Sequence, residues 1–98
     1  MYAVVNYLPL KGPLDEDVLL KLEQEFKPKA LALPGLQAFY FVRAADDEAI
    51  MVIIYESLNA LLEGRAQVGS PFFQKVIAPH LSGEPRRLIG KVVAHGRK

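Results

Sequence analysis

Residues 33–42 read LPGLQAFYFV, and the two faces of this stretch decide the fold. Pro34-Gly35 breaks the chain. An aromatic run follows, and side chains alternate across a strand with period two. Phe39 and Phe41 therefore share one face, while Ala38, Tyr40 and Val42 share the other. Both faces are apolar, so the strand (Leu36 to about Arg43) needs cover on two sides. RAADDE reads as a polar hairpin turn, and AIMVIIYE (49–56) as the next strand. Its unbroken apolar run before Tyr55 leaves no wet face, which marks a central strand.

Working outward, YAVVNYL (2–8) is another uniformly apolar strand, interrupted only by Asn6. Asp15 is a helix N-cap whose carboxylate accepts from first-turn amides, with Leu14 and Leu19 spaced as a hydrophobic staple. Val18, Leu19, Leu22 and Phe26 recur at helical spacing. Pro28 should loosen the last turns, and Pro34-Gly35 ends the helix. Ser57 caps a second helix, Leu58 to Val68, with Leu58, Leu61, Leu62 and Val68 as its apolar stripe. Gly69-Ser70-Pro71 reads as a stop and a restart, giving a further short helix to about Ala78. A last strand covers about Arg86 to Ala94. The order β-α-β-β-α-β over residues 1–98 predicts a single α+β domain, ferredoxin-like, with a four-stranded antiparallel sheet. Right-handed crossovers put both helices on one face. The apolar face left open predicts a homodimer, sheet against sheet about a two-fold axis, since a bare monomer would expose too large a patch.

Composition narrows the function classes. The 98 residues are 51% hydrophobic and 23% charged with net charge +1, so a polyanion partner is not expected. Arg86, Arg87, Lys91, Arg97 and Lys98 form a mild basic cluster without interleaved aromatic platforms, which reads as a solvated strand edge and tail rather than a nucleic-acid surface. With no cysteine, disulfides, thiolate metal sites and a Cys nucleophile are excluded, and having only two histidines argues against a protein-only transition-metal site. The first residues lack signal-peptide features, no run is long enough to cross a bilayer, and the expected location is the cytoplasm. Phosphate loops, G-x-S-x-G and H-E-x-x-H are absent. Asp15/Asp17 and Asp46/Asp47 sit where capping and turn roles explain them.

Five residues stand out as candidate site groups. Asn6 is a polar amide inside an apolar central strand, where an unpaired amide costs about 1–3 kcal/mol. It either aims into a pocket or is satisfied by a neighbouring strand end or water. Tyr40 and Tyr55, on adjacent strands, offer hydroxyls to a ligand or pack as amphipathic strand residues. Whether they share a face depends on hairpin register. Phe72 lines a pocket wall or belongs to the core. His80, the only histidine outside the tail, could accept a proton near neutral pH or simply complement a helix C-terminus.

F-K-P (26–28), L-P-G-L before an aromatic strand (33–36) and Y-E-S opening the second helix (55–57) resemble the antibiotic-biosynthesis-monooxygenase-like (ABM-like) group of dimeric α+β barrel proteins. The resemblance implies a homodimer whose two sheets form a barrel, with a pocket in each subunit between sheet and helices. It implies activities ranging from cofactor-free oxidation of aromatic molecules with molecular oxygen, through heme degradation, to none known. Heme-degrading members use an Asn on the first strand, a Trp and a second-helix His. Asn6 matches the first, but the chain has no Trp and neither histidine falls on the predicted second helix, which argues against that activity. The resulting expectation is a small aromatic or quinone-like ligand, oxidised without metal or flavin. Asn6 and His80 are the expected catalytic groups, and Tyr40, Tyr55 and Phe72 the expected substrate contacts. The alternatives are a non-catalytic ligand-binding or stress-related dimer, and a structural dimer with a filled core.

Overall fold

The computed structural model describes residues 1–98. Four antiparallel strands, β1 (Tyr2–Pro9), β2 (Leu36–Ala45), β3 (Glu48–Tyr55) and β4 (Arg86–Lys91), form one sheet in the order β2-β3-β1-β4. The two most apolar strands are central, as their lack of a polar face requires. β1 pairs with β3 through Val4↔Ile53 and Asn6↔Met51, and with β4 through Val4↔Ile89 and Asn6↔Arg87. Strand β2 pairs with β3 through Phe39↔Ile53 and Phe41↔Met51. These registers resolve the faces. Val4, Asn6, Leu8, Phe39, Phe41, Met51, Ile53 and Tyr55 point toward the helices. Ala38, Tyr40, Val42, Ile50, Val52 and Ile54 point away.

Both helices lie on that first face. Asp15 caps the first, its Oδ1 accepting from the Val18 amide at 3.1 Å, and Ser57 caps the second, its Oγ accepting from the Ala60 amide at 3.1 Å. The first helix runs over 16–31 and buries Val18, Leu22, Phe26 and Ala30. Gly35, with φ of 81°, makes the left-handed turn into β2 that a side chain would strain. The Phe26 ring meets Phe39 edge-on at 5.0 Å and Phe72 at 4.9 Å, tying both helices to the sheet.

The second helical stretch departs from expectation. The Gly69-Ser70-Pro71 stop does not occur, and helix continues over 58–80, ending in a 3₁₀ turn. Three prolines are carried inside the two helices by one device. The residue before each closes a wide π turn to a carbonyl five residues back: Lys27 to Leu22 before Pro28, Ser70 to Arg65 before Pro71, and Ala78 to Phe73 before Pro79. Proline breaks an α-helix by lacking an N–H and by pressing on the carbonyl four residues back. A π turn shifts that carbonyl out of register, so the helix bends around the ring rather than ending. The last strand is also shorter than expected, closing at Lys91. No helix is long and apolar enough to cross a membrane.

Candidate functional site

Asn6 decides where the site lies. It is the one polar residue in the buried core, at 6% exposure, and its phase in β1 turns it under the second helix. Its Oδ1 accepts a 3.0 Å hydrogen bond from Nε of Arg87, directly opposite on β4. Its Nδ2 donors have no acceptor within the chain. No fully sealed side-chain polar atom lacks a partner, so this amide keeps an outlet. That outlet is a cavity of about 30 Å³ between the sheet and the second helix. Val4, Met51, Ile53, Phe72, Phe73 and Ile77 form its apolar walls, with Asn6, Tyr55, Arg65, Ser70 and Arg87 as polar lining.

Tyr55 closes one end. Its side chain is 2% exposed, its hydroxyl makes no hydrogen bond within the chain, and burial pushes its pKa above the ordinary tyrosine value. It is therefore a neutral O–H donor rather than a phenolate base at neutral pH. Gly64, on the second helix, is what admits the ring: a Cβ there would stand 2.7 Å from Tyr55 Cε1 and 2.8 Å from Oη. Arg65 follows on a π turn, the type of helix irregularity that often marks functional positions.

The two arginines give the site its electrostatics. Neither forms an ion pair, since the salt bridges of the chain are Lys21–Asp17 and Lys27–Glu23 on the first helix. Burial, and then the neighbouring Arg65 charge, lower the pKa of Arg87. Arg87 runs in from the exposed edge strand, so it stands at the rim of the cavity while Arg65 is half-buried. No Asp, Glu or His lines the cavity.

The structure thus brings together Asn6, Tyr55 and Phe72 and separates the other two candidates. Tyr40 lies on the opposite sheet face from Tyr55, because its partner on β3 is Val52 rather than Ile53. It lines instead an open groove of about 590 Å³ that wraps over the free edge of β2, with Leu19, Leu31, Phe39 and Val42. That groove has no buried polar group to orient a ligand, and its Lys27 and Glu23 pair with each other. His80 ends the second helix beyond β1, where its carbonyl accepts from the Lys11 amide at 2.9 Å. It does not reach the cavity. Arg65 and Arg87 are the residues that sequence reasoning passed over. Arg87 read as a solvated edge residue, and its pairing with Asn6 spans 81 positions. The cavity is also smaller than an aromatic ligand needs, since sites for such molecules run to about 300–1,000 Å³.

No family model and no curated protein matches this chain. Solved structures do match in fold. The chain is similar to a monooxygenase from the gene ActVA-Orf6 of Streptomyces coelicolor, whose structure holds nanaomycin D, at 16% identity, 99% and 91% coverage of the two chains and a TM-score of 0.77. It is similar to SnoaB, a cofactor-independent oxygenase from Streptomyces nogalater, at 11% identity, 96% and 94% coverage and a TM-score of 0.73. A third, an antibiotic biosynthesis monooxygenase, is 20% identical over 96% of this chain and all of its own, with a TM-score of 0.73. The fold of this chain is that of the antibiotic biosynthesis monooxygenases.

Proposed function

We propose that this protein is a cytoplasmic homodimer that binds a small aromatic or quinone-like molecule under its second helix and oxidises it with molecular oxygen, without metal or flavin. The observation that carries the reading is the unpaired N–H₂ group of Asn6, almost completely buried and open to an apolar cavity shared with the Tyr55 hydroxyl and the Phe72 ring. Two fold neighbours, a monooxygenase and a cofactor-independent oxygenase, support the reaction class. In this mechanism the bound molecule, as its electron-rich anion, itself reduces oxygen. The protein positions it and offers donors to the oxygen atoms that gain charge. Asn6 and Tyr55 are the orienting donors. The cavity as it stands holds about one water, so a ring enters only if the wall moves. Phe72 and Phe73 are that wall, half-buried where the helix passes from the π turn Arg65–Gly69 into the π turn Phe73–Ile77.

The same proposal covers the outer sheet face with a second copy. Tyr40, Val42 and Leu88 are 60%, 46% and 45% exposed on a face whose remaining strand residues are mostly apolar. A sheet-on-sheet dimer buries such a face about a two-fold axis.

Oxygen uptake with a panel of hydroquinones tests the reaction. Uptake that falls at least tenfold in Asn6→Ala is expected. Uptake absent across the panel, or equal in the two proteins, removes the oxygenase assignment. A second reading, a binding module without turnover, is favoured by one specific feature: the cavity has no side chain able to accept a proton near neutral pH. It is distinguished by ligand binding without oxygen consumption.

A further inference from the structure

Asn6, Tyr55, Arg65, Ser70 and Arg87 can all donate a hydrogen bond into the cavity, and of these only the Tyr55 and Ser70 hydroxyls keep a free acceptor. Asn6 has already committed its acceptor oxygen to Arg87 and retains its N–H₂. Arg65 and the remaining N–H groups of Arg87 can only donate. The Tyr55 hydroxyl is a neutral donor with no partner in the chain. Two positive charges thus face one small space with no carboxylate in either an ion pair with them or the lining. Arg87 is exposed and Arg65 half-buried, so water screens part of their repulsion, and an anion held between them would relieve the rest. The lining also offers no base, so the site cannot take a proton from a neutral ligand that reaches it.

We propose that the cavity recognises its ligand through an oxyanion head, of the carboxylate class, held by Arg65, Arg87 and the Asn6 amide, so that the ligand binds already ionised. The inference rests on the reading of this cavity as the ligand site. A carboxylate matches the site in charge, in its several lone pairs, and in the planar fork that a guanidinium binds bidentately. The apolar body of the ligand then extends past Phe72 and Phe73.

The test is binding of benzoate and of its neutral isostere benzamide under anaerobic conditions. Affinity is read by titration calorimetry, and the site by the methyl signals of Met51, Ile53 and Ile77. Benzoate should bind at least tenfold more tightly than benzamide, with an affinity that falls as salt rises. Arg65→Gln, which breaks no hydrogen bond of the chain, should cost benzoate at least tenfold and leave benzamide unchanged. Asn6→Asp supplies the missing anion internally. It should raise the melting temperature and abolish benzoate binding, a result that loss of folding cannot imitate. Equal binding of the two probes at these methyls overturns the oxyanion inference while leaving the cavity as a ligand site. Shifts confined to other methyls overturn both. Benzoate binding undiminished in Arg65→Gln and Asn6→Asp marks adventitious anion binding only and also overturns the inference.

Discussion

Gly64→Ala is a substitution whose sign the structure fixes against the usual rule. Gly64 is in regular helix, with φ of −62° and ψ of −40°, where alanine ordinarily stabilises by about 1 kcal/mol. Here the added Cβ would lie 2.7 Å from Cε1, 2.8 Å from Oη and 3.1 Å from Cζ of Tyr55. The Tyr55 ring is fully buried, so it relieves the clash only by tipping into the small cavity beside it or by pushing the helix outward. Overpacking of this kind costs about 1–3 kcal/mol, which leaves a net loss of about 1 kcal/mol after the helix gain. For a chain of this size that is a drop of roughly 4–8 °C in melting temperature. The partner substitution removes the clash: in a Tyr55→Leu background the Oη, Cζ and Cε1 atoms are gone, and Gly64→Ala should stabilise by about 1 kcal/mol. Thermal and urea unfolding of the four proteins in this cycle give both signs. Stabilisation by Gly64→Ala in the wild-type background would show that the ring is not held against Gly64, and the described end of the cavity would be wrong.

Other outcomes follow from single interactions. Tyr55 has a raised folded-state pKa, so the native state holds its proton to higher pH than the unfolded chain does. The stability this contributes is complete below the ordinary tyrosine pKa near 10 and is lost as pH rises through the folded value. Above about pH 10 the wild type should therefore lose stability more steeply than Tyr55→Phe, measured by urea unfolding. Asp15→Ala and Ser57→Ala each remove one N-cap acceptor and should cost about 1 kcal/mol apiece, additively, because the caps belong to different helices. Val52→Arg places a charge mid-strand on the outer face, opposite Tyr40 and Val5, and should halve the mass measured by sedimentation equilibrium. A wild type that sediments as a monomer at micromolar concentration would rule out the dimer.

Much of the fold was legible because strand and helix periodicities are local. The central strands declared themselves by lacking any polar face, and Asp15 and Ser57 by capping chemistry. Which face of β2 lies under the helices was not legible, because parity passes through a turn. The chain turns on Asp46 and Asp47, and register shifts at Leu36/Ala38 and Arg43/Ala45 reset the alternation at both ends of the strand. The sequence therefore left open that Tyr40 lies on the opposite face from Tyr55. The continuous second helix was hidden for a different one: Gly-Ser-Pro normally ends a helix, and a π turn that accommodates proline has no clear sequence mark. Asn6 stood out as a polar residue among apolar ones. The arginines did not, since being unpaired is a property of the folded arrangement and ordinary surface arginines look the same in sequence.

β3 carries a built-in reporter for the location of the site, because its alternate methyl groups look into the cavity and onto the outer sheet face. Methyl NMR during titration with a hydroquinone, under argon, reads both faces at once. Shifts should concentrate at Met51 and Ile53, together with Ile77 above them, and leave Ile50, Val52 and Ile54 in place. Shifts that follow Ile50, Val52 and Ile54, or Val42 on the β2 groove, would put the ligand on the wrong side of the sheet and contradict the assignment of the site.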